Sequence, residues 1–247
     1  MSITIPSKIS TPRLTLIRLT NTSPSHPHVQ LFHENWSDPS ATAWSLHGAT
    51  KSLEESRDWM IEHRTKYDNI FYSAFAKPQP QGDVQSDQKI WSLRDVYLDG
   101  EEQQGENEIL GIHIGSVSLR LQPSGPVLSP YPALSQHNNT SHQENLDQDL
   151  DLRVLGYALF PSAWGYGYAT EANRGVLDAY ATAVSAQKQD TRKKYYVEAA
   201  VDEDNLASEK VLKKLGFKKL GWKDEEEKVW LNGGWRGPGY WVYGMFV

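Results

Sequence analysis

Two stretches of this 247-residue chain hold residue types at spacings that can do chemistry. The first, LGYALFPSAWGYGYATEA, runs from Leu155 to Ala172. It reads as a strand that passes through Pro161 into a loop with Gly165 and Gly167, then a helix that starts near Tyr168 with Thr170 and Glu171 in its first turn. The first N–H groups of a helix have no partner inside it, and the helix dipole there favours negative charge. Such a loop can cradle a phosphate or diphosphate, and residues without a Cβ let the anion approach the main chain. The same Gly-x-Gly spacing also serves as plain turn chemistry. No Gly-Lys-Ser/Thr follows the loop and no third glycine completes a dinucleotide fingerprint, which counts against kinases and dehydrogenases. The second stretch, VDEDNLASEKVLKKLGFKKLGW, runs from Val201 to Trp222. It ends a strand at Asn205 and places Ser208 on the first turn of a short helix, where a serine also commonly satisfies free backbone N–H groups.

Together the two stretches resemble the acetyl-CoA-binding core of the GNAT N-acetyltransferases, in their RimJ/RimL-like branch. The family loop reads approximately W-G-x-G-x-A-T-E-A, and this chain has Trp164, Gly165, Tyr166, Gly167, Tyr168, Ala169, Thr170, Glu171 and Ala172. The later motif, N-x-x-S-x-x-x-x-x-K-x-G-F, is matched by Asn205, Ser208, Lys214, Gly216 and Phe217. Ile114-Gly115-Ser116-Val117 is similar to the family's I-G-x-x pattern. One departure is Trp164, since many members of the superfamily open the loop with Arg or Gln and the RimJ/RimL-like branch often has an aromatic residue there.

The resemblance implies acetyl-CoA as cosubstrate, with its diphosphate on the main chain from Trp164 to Thr170 and its pantetheine arm paired with the strand from Gly156 to Phe160. It implies a backbone N–H near Leu159 or Phe160 polarising the acetyl carbonyl, Asn205 holding the coenzyme amide, and Ser208 as donor to the leaving thiolate. An amine attacks the thioester directly in this family, without an acetylated enzyme, which suits a chain with no Cys. The amine must arrive neutral, so a base is needed. Glu198, among apolar neighbours in YYVEAAV, and His113, inside ILGIHIGSVSLRL, are the candidates. Each also has an ordinary reading, as the partner of a nearby cation and as a satisfied strand histidine. The acceptor is then a primary amine, on a small molecule or at a protein N-terminus. A non-catalytic acyl-CoA-binding or sensory module on the same fold is the alternative, against which the presence of Asn205 and Ser208 counts.

The composition excludes several function classes. Acidic residues number 31 and basic ones 25, for a net charge of −6, which argues against a broadly basic nucleic-acid-binding surface. Mean hydropathy is −0.60 and no run approaches the roughly 20 apolar residues of a bilayer span, so no membrane association is expected. The absence of Cys removes disulfides, thiolate metal sites and cysteine nucleophiles, and no metal is expected. The opening MSITIPSKISTPRLTL has no apolar core and no small-residue cleavage site, so a cytoplasmic location is expected. Nothing in the sequence sets the oligomeric state.

Elements that could position these residues follow from period. Strands are expected over 13–20 and 71–76, across 109–121 and 152–160, over 195–201, and near 217–223 and 240–247. Helices are expected over 29–36, about 51–67, about 167–187 and about 206–215, the last closed by Gly216. Two polar segments, about 77–107 and 122–150, read as insertions, with a possible extra strand over 90–98. The tail from Gly233 reads as a turn plus a closing strand, and Asp224 to Glu227 as an exposed acidic turn. The expected architecture is one mixed α+β domain over 1–247. By the resemblance it is GNAT-like, with a mostly antiparallel sheet of about seven strands splayed at the acetyl-CoA site and about four flanking helices.

Overall fold

A computed structural model describes residues 3–78, 89–97, 107–129, 150–186 and 193–247. Most of the two polar insertions lies outside the described residues. In chain order the strands are β1 (Lys8–Ser10), β2 (Leu14–Arg18), β3 (Ile70–Ala76), β4 (Ile90–Ser92), β5 (Ile109–Leu121), β6 (Leu150–Leu159), β7 (Lys194–Val201), β8 (Lys218–Lys223), β9 (Val229–Leu231), β10 (Gly234–Arg236) and β11 (Tyr240–Phe246). The helices are α1 (Pro27–Trp36), α2 (Leu53–Tyr67), α3 (Leu93–Val96), α4 (Tyr168–Ser185) and α5 (Leu206–Leu215). The main sheet runs β1-β2-β3-β5-β6-β7-β11-β8, with β4 paired to β5. Every neighbouring pair is antiparallel except β6 and β7.

Helices cover both faces of the sheet, as an amphipathic pattern on each requires. On α4, Ala172, Val176, Leu177, Tyr180 and Val184 are buried against Leu14, Leu16, Val117, Leu155 and Val197 of the strands. The opposite face carries Val29, Leu31 and Phe32 of α1 and Met60 of α2, packed with Phe71, Phe75, Trp91 and Leu110. Helix starts follow local chemistry. Ser52 accepts from Glu55 N–H (3.1 Å) and Glu55 reaches back to Lys51 N–H (2.6 Å), which fixes the start of α2 two residues later than period alone suggests. Gly216, at φ 95°, closes α5 as expected.

Three features differ from the sequence expectation. Of the possible extra strand over 90–98, residues 90–97 are described: a strand of three residues turns at once into α3, because Asp95 accepts from the N–H and hydroxyl of Ser92 and starts a helix there. An added edge strand, β1, is held by its pairing with β2. The tail contains a separate hairpin, β9–β10, around Asn232 and Gly233, both at positive φ (47° and 74°) with Leu231 opposite Gly234. Asn-Gly is the two-residue turn signal for a hairpin, so this element is legible in the sequence.

The close approach of β5 to β6 depends on Gly115. It sits at φ 132°, and a Cβ there would lie 2.2 Å from the Ala158 carbonyl oxygen and 2.6 Å from Leu159 Cα. A Gly115→Ala variant is therefore expected to lose roughly 2–4 kcal/mol of stability, measured by urea denaturation, because both the dihedral and the main-chain contact must give.

Candidate active site

The site is built where β6 and β7 part. Their parallel pairing runs from Leu150↔Lys194 to Val154↔Glu198 and stops there, although β6 continues to Leu159 and β7 to Val201. Beyond that point β6 stays bonded to β5, and β7 to β11. Phe160 N–H donates to the Ile114 carbonyl (3.1 Å) and Gln122 N–H to that of Leu152 (2.9 Å), which sets the bonding phase. Even-numbered residues of β6 face β5, and odd-numbered ones turn their N–H and C=O toward β7. Past the separation, Tyr157 and Leu159 therefore direct main-chain groups into the gap between the strands. Of the two amides expected to face a thioester, Leu159 has this orientation. Phe160 does not, because its N–H is spent on Ile114.

At the open end of the gap the chain makes a short 3₁₀ turn, Pro161–Ala163, and enters the glycine loop. Gly165 and Gly167 lie at φ 83° and 80°, and Gly167 precedes α4 with no side chain capping the helix. Trp164 N–H is taken by the Pro161 carbonyl (3.1 Å) and Glu171 N–H by that of Gly167 (3.1 Å). Between them, the N–H groups of Gly165, Tyr166, Gly167, Tyr168, Ala169 and Thr170 have no acceptor among the described residues. Six unpaired donors at a helix N-terminus fit a diphosphate. Trp164, the departure from the superfamily pattern, joins the loop to the end of β6, because its indole N–H donates to the Leu159 carbonyl (2.7 Å).

A brace with no counterpart in the sequence reading holds this loop. Glu171 accepts from the Thr11 hydroxyl (2.6 Å), Arg13 N–H (2.8 Å) and Arg13 Nε (2.7 Å). The same guanidinium donates to the Tyr166 carbonyl (2.9 Å) and lies 4.9 Å from the Tyr168 ring centroid. Burial pushes the Glu171 carboxyl up, but its hydroxyl, amide and guanidinium partners outweigh that and hold it below the ordinary value. Arg13 and Glu171 are 158 residues apart, so only the fold brings them together.

On the far side of the gap, Asn205 caps α5, its Oδ1 accepting from Ser208 N–H (3.1 Å). The Ser208 hydroxyl lies 2.7 Å from that of Tyr157, which connects α5 to β6. Burial pushes the Tyr157 phenol up to about 12. Lys210, Lys213 and Lys214 are exposed, and Lys213 pairs with Glu209 (2.8 Å).

The two candidate bases sit in different settings. His113 is 7% exposed and its Nδ1 lies 3.0 Å from Glu34 of α1, while Nε2 is buried with no hydrogen-bond partner among the described residues. Its ring is 5.3 Å from those of Phe75 and Phe160. Glu198, 2% exposed, is the last β7 residue paired with β6, and both carboxylate oxygens accept from Val127 N–H (3.2 Å each). Burial pushes its carboxyl up to about 7, with the amides of Val127 and Leu128 opposing. Asn35 links α1 to the site: its amide donates to the Ala158 carbonyl (3.2 Å), and it accepts from Ser116 (2.5 Å). Among the other aromatics near the first two helices, Trp36 and Trp59 pack edge to face at 4.3 Å, and Trp44 lies 5.3 Å from the Arg236 guanidinium.

With this geometry in place, comparison with known proteins is decisive on family: the sequence matches the acetyltransferase (GNAT) domain over residues 13–218. The chain belongs to the GNAT acetyltransferase family. Solved structures of low identity share its fold. An acetyltransferase of the GNAT family from Bacillus anthracis is 15% identical, with a TM-score of 0.53 over 97% of this chain and 98% of that one. RimL, a ribosomal L7/L12 alpha-N-protein acetyltransferase in complex with coenzyme A, is 17% identical, with a TM-score of 0.52 over 98% and 97%. Spermidine N-acetyltransferase from Vibrio cholerae, in complex with CoA and spermine, is 12% identical, with a TM-score of 0.56 over 96% of both chains. No curated protein matches the sequence. GNAT enzymes use acetyl-CoA, and among the described residues no helix is long and apolar enough to cross a membrane.

The buried Glu198 gives this GNAT domain a pH-dependent stability. Its folded-state pKa lies above the unfolded value, so the native state holds the extra proton between about 4.5 and about 7, and stability falls as pH rises through that window. Glu198→Gln is expected to remove that decline, so that the stability difference between variant and wild type grows by up to about 3 kcal/mol from pH 4.5 to pH 7.5 in urea titrations.

Proposed function

We propose that this GNAT enzyme transfers an acetyl group from acetyl-CoA to a primary amine by direct attack, with both substrates bound at once. The observation that carries the reading is the combination of a parted strand pair with six unpaired amides at the start of α4. The loop from Trp164 to Thr170 holds the diphosphate. The main-chain groups of Tyr157 pair with the pantetheine arm, and Leu159 N–H polarises the acetyl carbonyl while the Leu159 carbonyl stays on the Trp164 indole. Asn205 keeps its Nδ2 for the coenzyme amide while Oδ1 caps α5. When bound, acetyl-CoA supplies the activated acyl group.

We assign His113 as the base. Nδ1–H donated to Glu34 fixes the ring's tautomer and orientation and leaves the lone pair on Nε2 to accept a proton. Glu198 has a matched proton affinity, but its oxygens already hold the 127–128 segment, and we assign it that anchoring role. Ser208 donates a hydrogen bond to the departing sulfur. The acceptor is a primary amine on a small molecule or at a protein N-terminus. Catalysis runs through proton handling and positioning, in keeping with a chain without Cys.

Incubation with acetyl-CoA and a panel of primary amines is expected to release free thiol in proportion to amide formed. His113→Gln is expected to lower kcat by about 10²- to 10⁴-fold while coenzyme affinity by calorimetry holds, and Glu198→Gln to change kcat far less. Coenzyme binding with no thiol release from any amine would rule out acetyl transfer.

A further inference from the structure

The hydroxyl of Ser208 carries a single proton, and its direction decides whether it can serve a sulfur atom in the gap. Several groups near it compete for that proton or supply another. Asn205 Oδ1 is committed to Ser208 N–H, so it does not bind the hydroxyl. The Ser208 carbonyl lies 3.4 Å from the Tyr157 hydroxyl, a long contact beside the 2.7 Å between the two hydroxyl oxygens. The phenol is therefore the one strong partner of Ser208 Oγ among the described residues. Tyr157 is also one of the two β6 residues past the separation whose main chain turns toward the gap, and its hydroxyl contact with Ser208 spans the place where the strands part.

We propose that Tyr157 is a positioning residue: its phenol donates to Ser208 Oγ and so leaves the serine proton free to point at the sulfur of coenzyme A. This rests on the acetyl-transfer reading above and deepens the part played by Ser208. The order of donation is phenol O–H to Oγ, then Oγ–H to sulfur, and each donor strengthens the next. As the amine nitrogen forms its bond to the carbonyl carbon, the carbon–sulfur bond breaks and its electron pair stays on sulfur, where Ser208 donates to it. The proton lost by the nitrogen passes to the base and on to solvent, and the thiolate is reprotonated from solvent. Neither hydroxyl is ionised at any stage. Burial agrees with this, since it holds the proton on the phenol up to a pH of about 12.

The test measures binding of coenzyme A, which carries the free thiol, beside desulfo-coenzyme A, which has no sulfur, by calorimetry from pH 7 to pH 10. With the relay in place, the wild type gains affinity for coenzyme A as the thiol ionises, and desulfo-coenzyme A shows no such gain. Tyr157→Phe keeps the ring and its packing. It is expected to cut the gain by about three- to tenfold, the effect of one hydrogen bond between neutral hydroxyls, and to leave desulfo-coenzyme A unaffected. Ser208→Ala is expected to abolish the gain. Equal weakening of both ligands at every pH by Tyr157→Phe would make Tyr157 a brace between β6 and α5 and overturn the proposal. A gain lost in Ser208→Ala but intact in Tyr157→Phe would overturn it while leaving Ser208 in its role. A gain intact in both would remove Ser208 as well, and failure of the wild type to bind either ligand would remove the acetyl-transfer reading itself.

Discussion

The last hydrogen-bonded step between two parallel strands governs this molecule. After Val154 and Glu198, β6 and β7 each keep one neighbour and lose the other. Main-chain donors and acceptors that a sheet would normally consume are left directed at one another across a gap. Leaving such groups unpaired away from water is costly, so a fold that holds them open is prepared for a ligand with complementary amides. An extended chain of amides linked to a diphosphate has that character, and the unpaired N–H groups between Gly165 and Thr170 continue the same row of donors around the corner.

Holding the strands apart takes contacts from every layer. Asn35 fastens α1 to the Ala158 carbonyl on one face, while the Tyr157 and Ser208 hydroxyls join β6 to α5 on the other. The loop end is secured twice, by the Trp164 indole on Leu159 and by Arg13 between Glu171 and the Tyr166 carbonyl. Arg174 adds a tie between α4 and the last carbonyls of α5, reaching Lys214 at 2.6 Å. The hairpin β9–β10 reaches the opposite side, where Asn232 N–H donates to the Ala43 carbonyl (2.7 Å) and Arg236 pairs with Asp204. Each is modest alone, about 1 kcal/mol for an ordinary hydrogen bond, but they act on segments far apart in sequence and so fix one geometry.

What the sequence discloses is local. Gly165 and Gly167 stand out in a loop that enters a helix, and Gly216 closes α5 by capping chemistry, whereas Asn205, expected at the end of a strand, is the N-cap of α5 because β7 already stops at Val201. The parting of β6 from β7 has no local signature: YALF and EAAV read as ordinary strand, and only the pairing shows where the ladder stops. Arg13, Glu34, Asn35 and Tyr157 give no signal for the same reason, since each acquires its role from a partner 51 to 158 residues away. The hairpin is a different case, because Asn232-Gly233 between apolar residues is a local signal that a reading of the tail as a plain turn does not use. His113 and Glu198 are visible as candidates, and their settings, one beside a carboxylate and one beneath main-chain amides, come only from the fold.

Amide hydrogen exchange with and without coenzyme A addresses the open ladder most directly. If these main-chain groups are the coenzyme's partners, added coenzyme slows exchange at Tyr157, at Leu159 and from Gly165 through Thr170, and leaves the even-numbered amides of β6, already bonded to β5, unchanged. Bound coenzyme with no slowing at those positions, or with protection confined to other parts of the sheet, would contradict the account.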